Sequence, residues 1–138
     1  MPDGAKGSTA RPLSPHLQIY RWPITMATSI VHRATGVALA GGMAFLAWWL
    51  IAAAAGPDAY ANFEAAAGHP IGGAVLFGFV WSLTYHLLNG VRHLVWDLGY
   101  GFAPATAERT GAFIIALSIL IAVAIFWTGY VAAGGPFS

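Results

Sequence analysis

The sequence predicts an all-α integral membrane protein: three transmembrane helices behind a polar arm. Three observations carry that prediction. Of 138 residues, 58 % are hydrophobic and only 8 % charged, against about 25 % charged in a soluble domain. The mean hydropathy is +0.67. The charges are also spaced so that three long stretches carry none. Six basic and five acidic side chains cannot wet the surface of a soluble fold. Disorder is excluded as well, since it requires low hydrophobicity and high net charge. A net charge of +1 gives no electrostatic case for nucleic acid. The absence of cysteine removes disulfides, thiolate nucleophiles and iron–sulfur ligation within this chain.

Residues 1–23 form the polar arm, and 24–138 the three-helix domain. The first 29 residues are polar and Pro-rich, with charges at Asp3, Lys6, Arg11 and Arg21 and no apolar core. That is not the pattern of a cleaved signal. An early Asp3, with Arg11 the sole Arg in the first twenty residues, also departs from an Arg-rich, acid-poor mitochondrial transit peptide. The composition points to a bacterial plasma membrane in preference to the mitochondrial inner membrane.

The first span is expected near 34–55, inside the charge-free interval between Arg33 and Asp58. Its helix is expected to start earlier. Pro23 suits a first-turn position, nothing breaks the run from Ile24 to Ala55, and Gly56-Pro57 ends it. That is about 48 Å of helix at 1.5 Å per residue, against a hydrocarbon core of about 30 Å. The first turns therefore belong to the interface. Residues 56–69 are expected to be a loop. The second span is expected near 71–92, between Glu64 and Arg92, and the third near 111–133, beyond Arg109. Each interval is long enough for one crossing, which takes about 20 residues, and too short for two.

Lys6, Arg11, Arg21 and Arg33 precede span one, and Arg92 and Arg109 lie between spans two and three. The other loop and the tail hold no basic residue. The positive-inside rule then places the N-terminus and the 93–110 loop in the cytoplasm. Trp22, Trp96 and Tyr100 fit an aromatic belt on that side, with Trp127 and Tyr130 on the other.

Ionisable side chains at membrane depth mark function by default, and His86 is the sharpest. Gly78, Ser82, His86 and Gly90 recur every four residues. Such a stripe serves close helix packing, or a flat cofactor with His86 as axial iron ligand; both readings stand. His93 lies two turns on, about 10.5 Å along the same face, where it can meet a haem propionate or snorkel to headgroups. On the first helix Ser29 and Arg33 are i,i+4, with His32 beside them. They can converge on a carbonyl or carboxylate oxygen. Alternatively, Arg33 marks the end of the span and Ser29 bonds its own backbone. His16 and His69 are expected in solvent, and Met26 and Met43 in packing. Asp97 is expected either to pair with Arg92 or to relay protons.

Two blocks carry a resemblance: RPLSPHLQIYRWPITMATSIVHRATG (11–36) and YHLLNGVRHLVWDLGYG (85–101). In order and spacing they resemble the cytochrome b membrane-anchor subunit of succinate dehydrogenase. The resemblance implies one of two small anchors holding an iron–sulfur subunit and an FAD-carrying flavoprotein at the membrane. It implies a haem b shared with the second anchor subunit, and ubiquinone as electron acceptor. By position in the blocks, His86 matches the axial haem ligand, with the second ligand supplied by the partner chain. His32, Arg33 and His93 match residues near the propionates. Ser29 and Arg33 match quinone-site residues, with Trp22 and Ile30 as apolar walls. The chain alone is expected to be non-catalytic, having neither a nucleotide motif nor cysteine. A fumarate reductase-type anchor and a non-redox three-helix scaffold or transporter subunit are the competing functions.

Overall fold

A computed structural model describes residues 21–132. Most of the polar arm, including His16, and the last expected residue of span three, 133, lie outside them. The element order is α1 (Ile24–Ala55), α2 (Pro57–Gly68), α3 (Pro70–Asp97) and α4 (Pro104–Ala132). Three of these, α1, α3 and α4, are long and apolar enough to cross a membrane. They match the three expected spans, and each helix runs past its span.

The boundaries follow from local chemistry. Pro23 is extended (φ −70°, ψ 149°) and sits just before α1, where its carbonyl accepts from the Met26 and Ala27 amides. Gly56, at φ 114°, takes a conformation that side chains disfavour and ends the helix. Pro57 then opens α2 at the first-turn position, with Asp58 in the first turn, where a negative charge complements the helix dipole. The expected 56–69 loop is therefore a helix. The Gly-Pro-Asp run that reads as a break after one helix also starts another. Phe63 anchors α2 by packing against Phe45 and Trp48 of α1. His69, exposed as expected, caps α3 by accepting from the Ile71 amide. At the other end of α3, Gly99 (φ 89°) closes a Schellman motif: its amide donates to Trp96 and the Tyr100 amide to Val95. The expected 93–110 loop thereby shrinks to residues 98–103.

The three long helices pack antiparallel in sequence order. Thr28 meets Arg92 and Gly42 meets the Phe79 ring across α1 and α3. Arg92 meets Ala107, and Phe77 meets Phe126, across α3 and α4. The interior is mostly small or polar: Thr28, Thr35, Ser82, Asn89, Arg92 and Ser118 are buried alongside Ala52, Ala107 and Ala122, with Tyr85, Phe63 and Ile114 as the large exceptions. Large apolar side chains such as Val37, Leu83, Leu87, Phe113 and Leu120 point outward. That inversion suits a lipid solvent, in which apolar surface gains little from burial and small residues let helices approach closely.

Candidate functional site

The site lies where the first half of α1 crosses the second half of α3. On α1, Thr28, His32 and Thr35 occupy one face at i, i+4, i+7. On α3, Tyr85, Asn89 and Arg92 repeat that spacing, with His86 and His93 one residue on from Tyr85 and Arg92. The fully buried Tyr85 hydroxyl donates to the Thr28 carbonyl at 2.9 Å, tying the two stripes together.

His86 is held by its Nδ1, which lies 3.2 Å from the His32 carbonyl oxygen and 3.3 Å from the Thr35 hydroxyl. The carbonyl can only accept, so Nδ1 carries the proton. The Thr35 hydroxyl donates to the same carbonyl, at 2.9 Å, leaving its lone pairs toward the imidazole. Nε2 keeps its own lone pair and has no hydrogen-bond partner among the described residues. A ring nitrogen freed in this way, with the other bonded to a carbonyl, is the arrangement of a metal-ligating histidine. Gly36 makes room for the ring: a Cβ there would sit 3.2 Å from His86 Cε1.

The other two histidines join it. The His32 ring stacks on His86 with centroids 4.0 Å apart at 20°. His93 lies 5.2 Å from His32, and its Nε2 is 3.4 Å from Asn89 Nδ2. His32 Nε2 is buried without a partner. The expected face shared by His86 and His93 is thus present, bridged by His32. Beyond His86, the expected small-residue stripe borders an open groove of about 370 Å³ lined by Ala38, Gly41, Gly42, Gly78, Trp81 and Ser82. A Cβ at Gly78 would meet nothing within 4 Å.

Ser29 lines a small cavity of about 80 Å³ with Thr25, Thr28, Asn89, Arg92, His93 and Trp96. Arg33 and Ile30, on the same outer side of α1, are exposed, as is Trp22 just before the helix. Arg33 has no polar partner among the described residues. The structure therefore gathers His32, His86 and His93, sets Ser29 against the cluster, and leaves Arg33, Ile30, Trp22 and Asp97 facing outward. The expected Arg92–Asp97 pair does not form. Their five-residue separation turns them to different faces, and Arg92 points inward. Its guanidinium donates to Thr28 Oγ1 (3.3 Å), Asn89 Oδ1 (3.4 Å) and the Ala107 carbonyl (2.5 Å).

A sequence profile described as succinate dehydrogenase/fumarate reductase transmembrane subunit matches residues 8–125. The chain belongs to this family. It is 45 % identical over 113 residues to a succinate dehydrogenase cytochrome b556 subunit of Paracoccus denitrificans, covering 82 % of this chain and 87 % of that one. It is 42 % identical over 117 residues to the subunit so named in Rickettsia prowazekii, covering 85 % and 90 %. A mitochondrial cytochrome b560 subunit of Mus musculus is 38 % identical over 115 residues, covering 82 % and 68 %. Every residue of the α1–α3 site falls within the part matched by the family. Sequence reasoning had missed Thr28, Thr35, Gly36, Tyr85 and Asn89, and had misplaced Arg92. Their signal was the pair of polar i, i+4, i+7 stripes, 28–32–35 and 85–89–92, which only meet once the helices are packed.

Proposed function

We infer that this chain is the haem b membrane-anchor subunit of a bacterial succinate dehydrogenase, a multi-pass protein of the plasma membrane. The observation that carries the reading is the His86 imidazole, fixed through Nδ1 to the His32 carbonyl with Nε2 free. One free imidazole nitrogen suits a haem iron. The open groove beside Gly78 and Ser82 gives a flat group access to the helix backbones. The relatives named as succinate dehydrogenase subunits favour that complex over a fumarate reductase anchor or a non-redox scaffold.

Within this reading His86 would hold the haem iron, with a further ligand from a second anchor subunit. His32, Arg33 and His93 would hold the propionates at the end of the bundle that carries the basic residues. That end is cytoplasmic, where the iron–sulfur subunit and the flavoprotein dock. The haem supplies one-electron redox chemistry when bound. Ubiquinone sits against Ser29 and Arg33, between Trp22 and Ile30. The exposed guanidinium of Arg33 stabilises negative charge developing on a quinone oxygen, and the Ser29 hydroxyl donates a hydrogen bond to it. Quinone reduction consumes two protons, and the Asp97 carboxylate, exposed at the end of α3, would pass them from the cytoplasm.

The test combines spectroscopy with kinetics on the purified complex. A reduced-minus-oxidised spectrum should show a b-type α-band, and His86→Ala should remove it while the chain stays in the membrane. Ser29→Ala and Arg33→Leu should slow ubiquinone reduction while sparing succinate oxidation by a soluble dye. A parental complex without the α-band would sink the haem assignment. Equal loss of both activities would assign Ser29 and Arg33 to assembly.

A further inference from the structure

Arg92 has no part in the function described above, yet it is the most unusual side chain in the bundle. It is 7 % exposed, within a helix long and apolar enough to cross a membrane. A charge so placed is expensive to bury and is ordinarily paired with its opposite. Arg92 is not. Its three hydrogen-bond acceptors, Thr28 Oγ1, Asn89 Oδ1 and the Ala107 carbonyl, are all neutral. Its Nε is buried without a partner, and its remaining face lies 4.2 Å from the centre of the Trp96 ring. The charged side chains nearest in sequence on α3 and α4, Asp97, Glu108 and Arg109, are all exposed. The positive charge is therefore solvated by dipoles and a π-face, and neutralised by nothing in the described chain.

Its position joins it to the site. With Asn89 Oδ1 turned to the guanidinium, the Asn89 amide hydrogens face His93 Nε2 at 3.4 Å. From His93 the contacts continue to the His32 ring and on to His86. Arg92 also borders the cavity that Ser29 lines. One unbroken set of contacts thus connects the buried cation to the residues proposed to carry haem and quinone.

We propose that Arg92 is the fixed cation of this site: its uncompensated charge favours added electron density at the adjoining haem and quinone positions and holds the haem midpoint potential up. The inference rests on the haem-anchor reading. Arg92 acts as a positioning residue, through its field and through Asn89. In a low-dielectric interior such a field is weakly screened, and because the guanidinium is already in place no reorganisation is needed when charge arrives.

The experiment is a redox titration of the haem α-band in the purified complex, comparing the parent with Arg92→Gln, Arg92→Lys and Asn89→Asp. Asn89→Asp keeps the guanidinium and its packing but sets a carboxylate beside it, neutralising the charge in place. Arg92→Gln and Asn89→Asp should both lower the midpoint potential with a low-spin spectrum retained, and Arg92→Lys should stay near the parent. Parental potentials in Arg92→Gln and Asn89→Asp would overturn the proposal and leave Arg92 as helix packing. A shift in Arg92→Lys as large as in Arg92→Gln would overturn it too, because geometry and not charge would then be responsible. If Arg92→Gln fails to assemble, Asn89→Asp alone decides. A parental complex without haem refutes the functional reading itself, which is distinct from a parental haem whose potential the variants do not move.

Discussion

Gly36→Ala should weaken haem retention while making its own helix more stable. The added Cβ would lie 3.2 Å from His86 Cε1 and 3.7 Å from Nδ1, the first inside ordinary van der Waals contact. The imidazole must then retreat by about 0.3 Å. The Nδ1 to His32 carbonyl distance, now 3.2 Å, would stretch to about 3.5 Å, beyond a useful hydrogen bond. Losing such an outer partner of a metal-ligating histidine costs about 10–100-fold in affinity, or about 1.4–2.8 kcal/mol. Replacing a mid-helix glycine with alanine favours the helix by up to about 1 kcal/mol. The two effects have opposite signs and fall on different observables. The assay is the haem-to-protein ratio of the purified complex from its α-band, measured beside the amount of chain recovered in membranes. Recovery should hold or rise while haem content falls, and Gly36→Val should lose more. A Gly36→Ala complex with parental haem content and spectrum would refute the reasoning, because the contact would then relax without disturbing His86.

Four other outcomes are expected. Tyr85→Phe should destabilise the bundle by about 1 kcal/mol, the net worth of one buried hydrogen bond, measured by thermal unfolding of the complex in detergent. Gly111→Leu should impair assembly. Even a Cβ at Gly111 would lie 3.2 Å from Ile24 Cγ2 and 3.3 Å from Thr28 Cγ2, so the rest of the side chain forces α4 off α1; normal complex yield would show that this seam yields. Asp97→Asn should leave stability unchanged, since the carboxylate has no guanidinium partner among the described residues, but should slow quinone reduction most at high pH, where protons are scarce; parental kinetics across pH would remove Asp97 from the proton route. The chain has no cysteine, so single cysteines at Asp58 and Arg109 report orientation without background. In intact cells an impermeant maleimide should label the first and not the second, and the reverse pattern would invert the assigned topology.

The long helices were legible because lipid imposes a simple rule on sequence: about 20 residues without charge. The run from Ile24 to Ala55 could be read to both ends, since Pro23 and Gly56 act on the backbone locally. Helix α2 was not legible for a related reason. It does not cross, so no hydropathy rule demands it, and its one buried side chain, Phe63, finds Phe45 and Trp48 only after the chain has turned back. His86 and Ser29 stood out because each is a polar group in an apolar run. Arg92 stood out equally but was misread. At the end of a span a basic residue is ordinarily assigned to headgroups or to a nearby acid, and nothing local says that α4 returns to offer it the Ala107 carbonyl.

The polar stripes that missed detection also explain why stability and function cannot be separated cleanly in this bundle. A soluble domain packs its helices with apolar side chains and adds a polar site at the surface. Here lipid weakens the incentive to bury large apolar side chains, and Thr28, Thr35, Asn89, Arg92 and Ser118 occupy much of the interior. The Thr28 hydroxyl accepts from Arg92, and its carbonyl accepts from Tyr85. The His32 carbonyl accepts from both Thr35 and His86. Helix packing and imbalance of charge at the site therefore share atoms. A substitution such as Thr28→Val strips an acceptor from Arg92 and a helix contact in one step, while Asn89→Asp alters charge with almost no change in shape. Isosteric changes of that second kind are the ones from which the electrostatics of this site can be read.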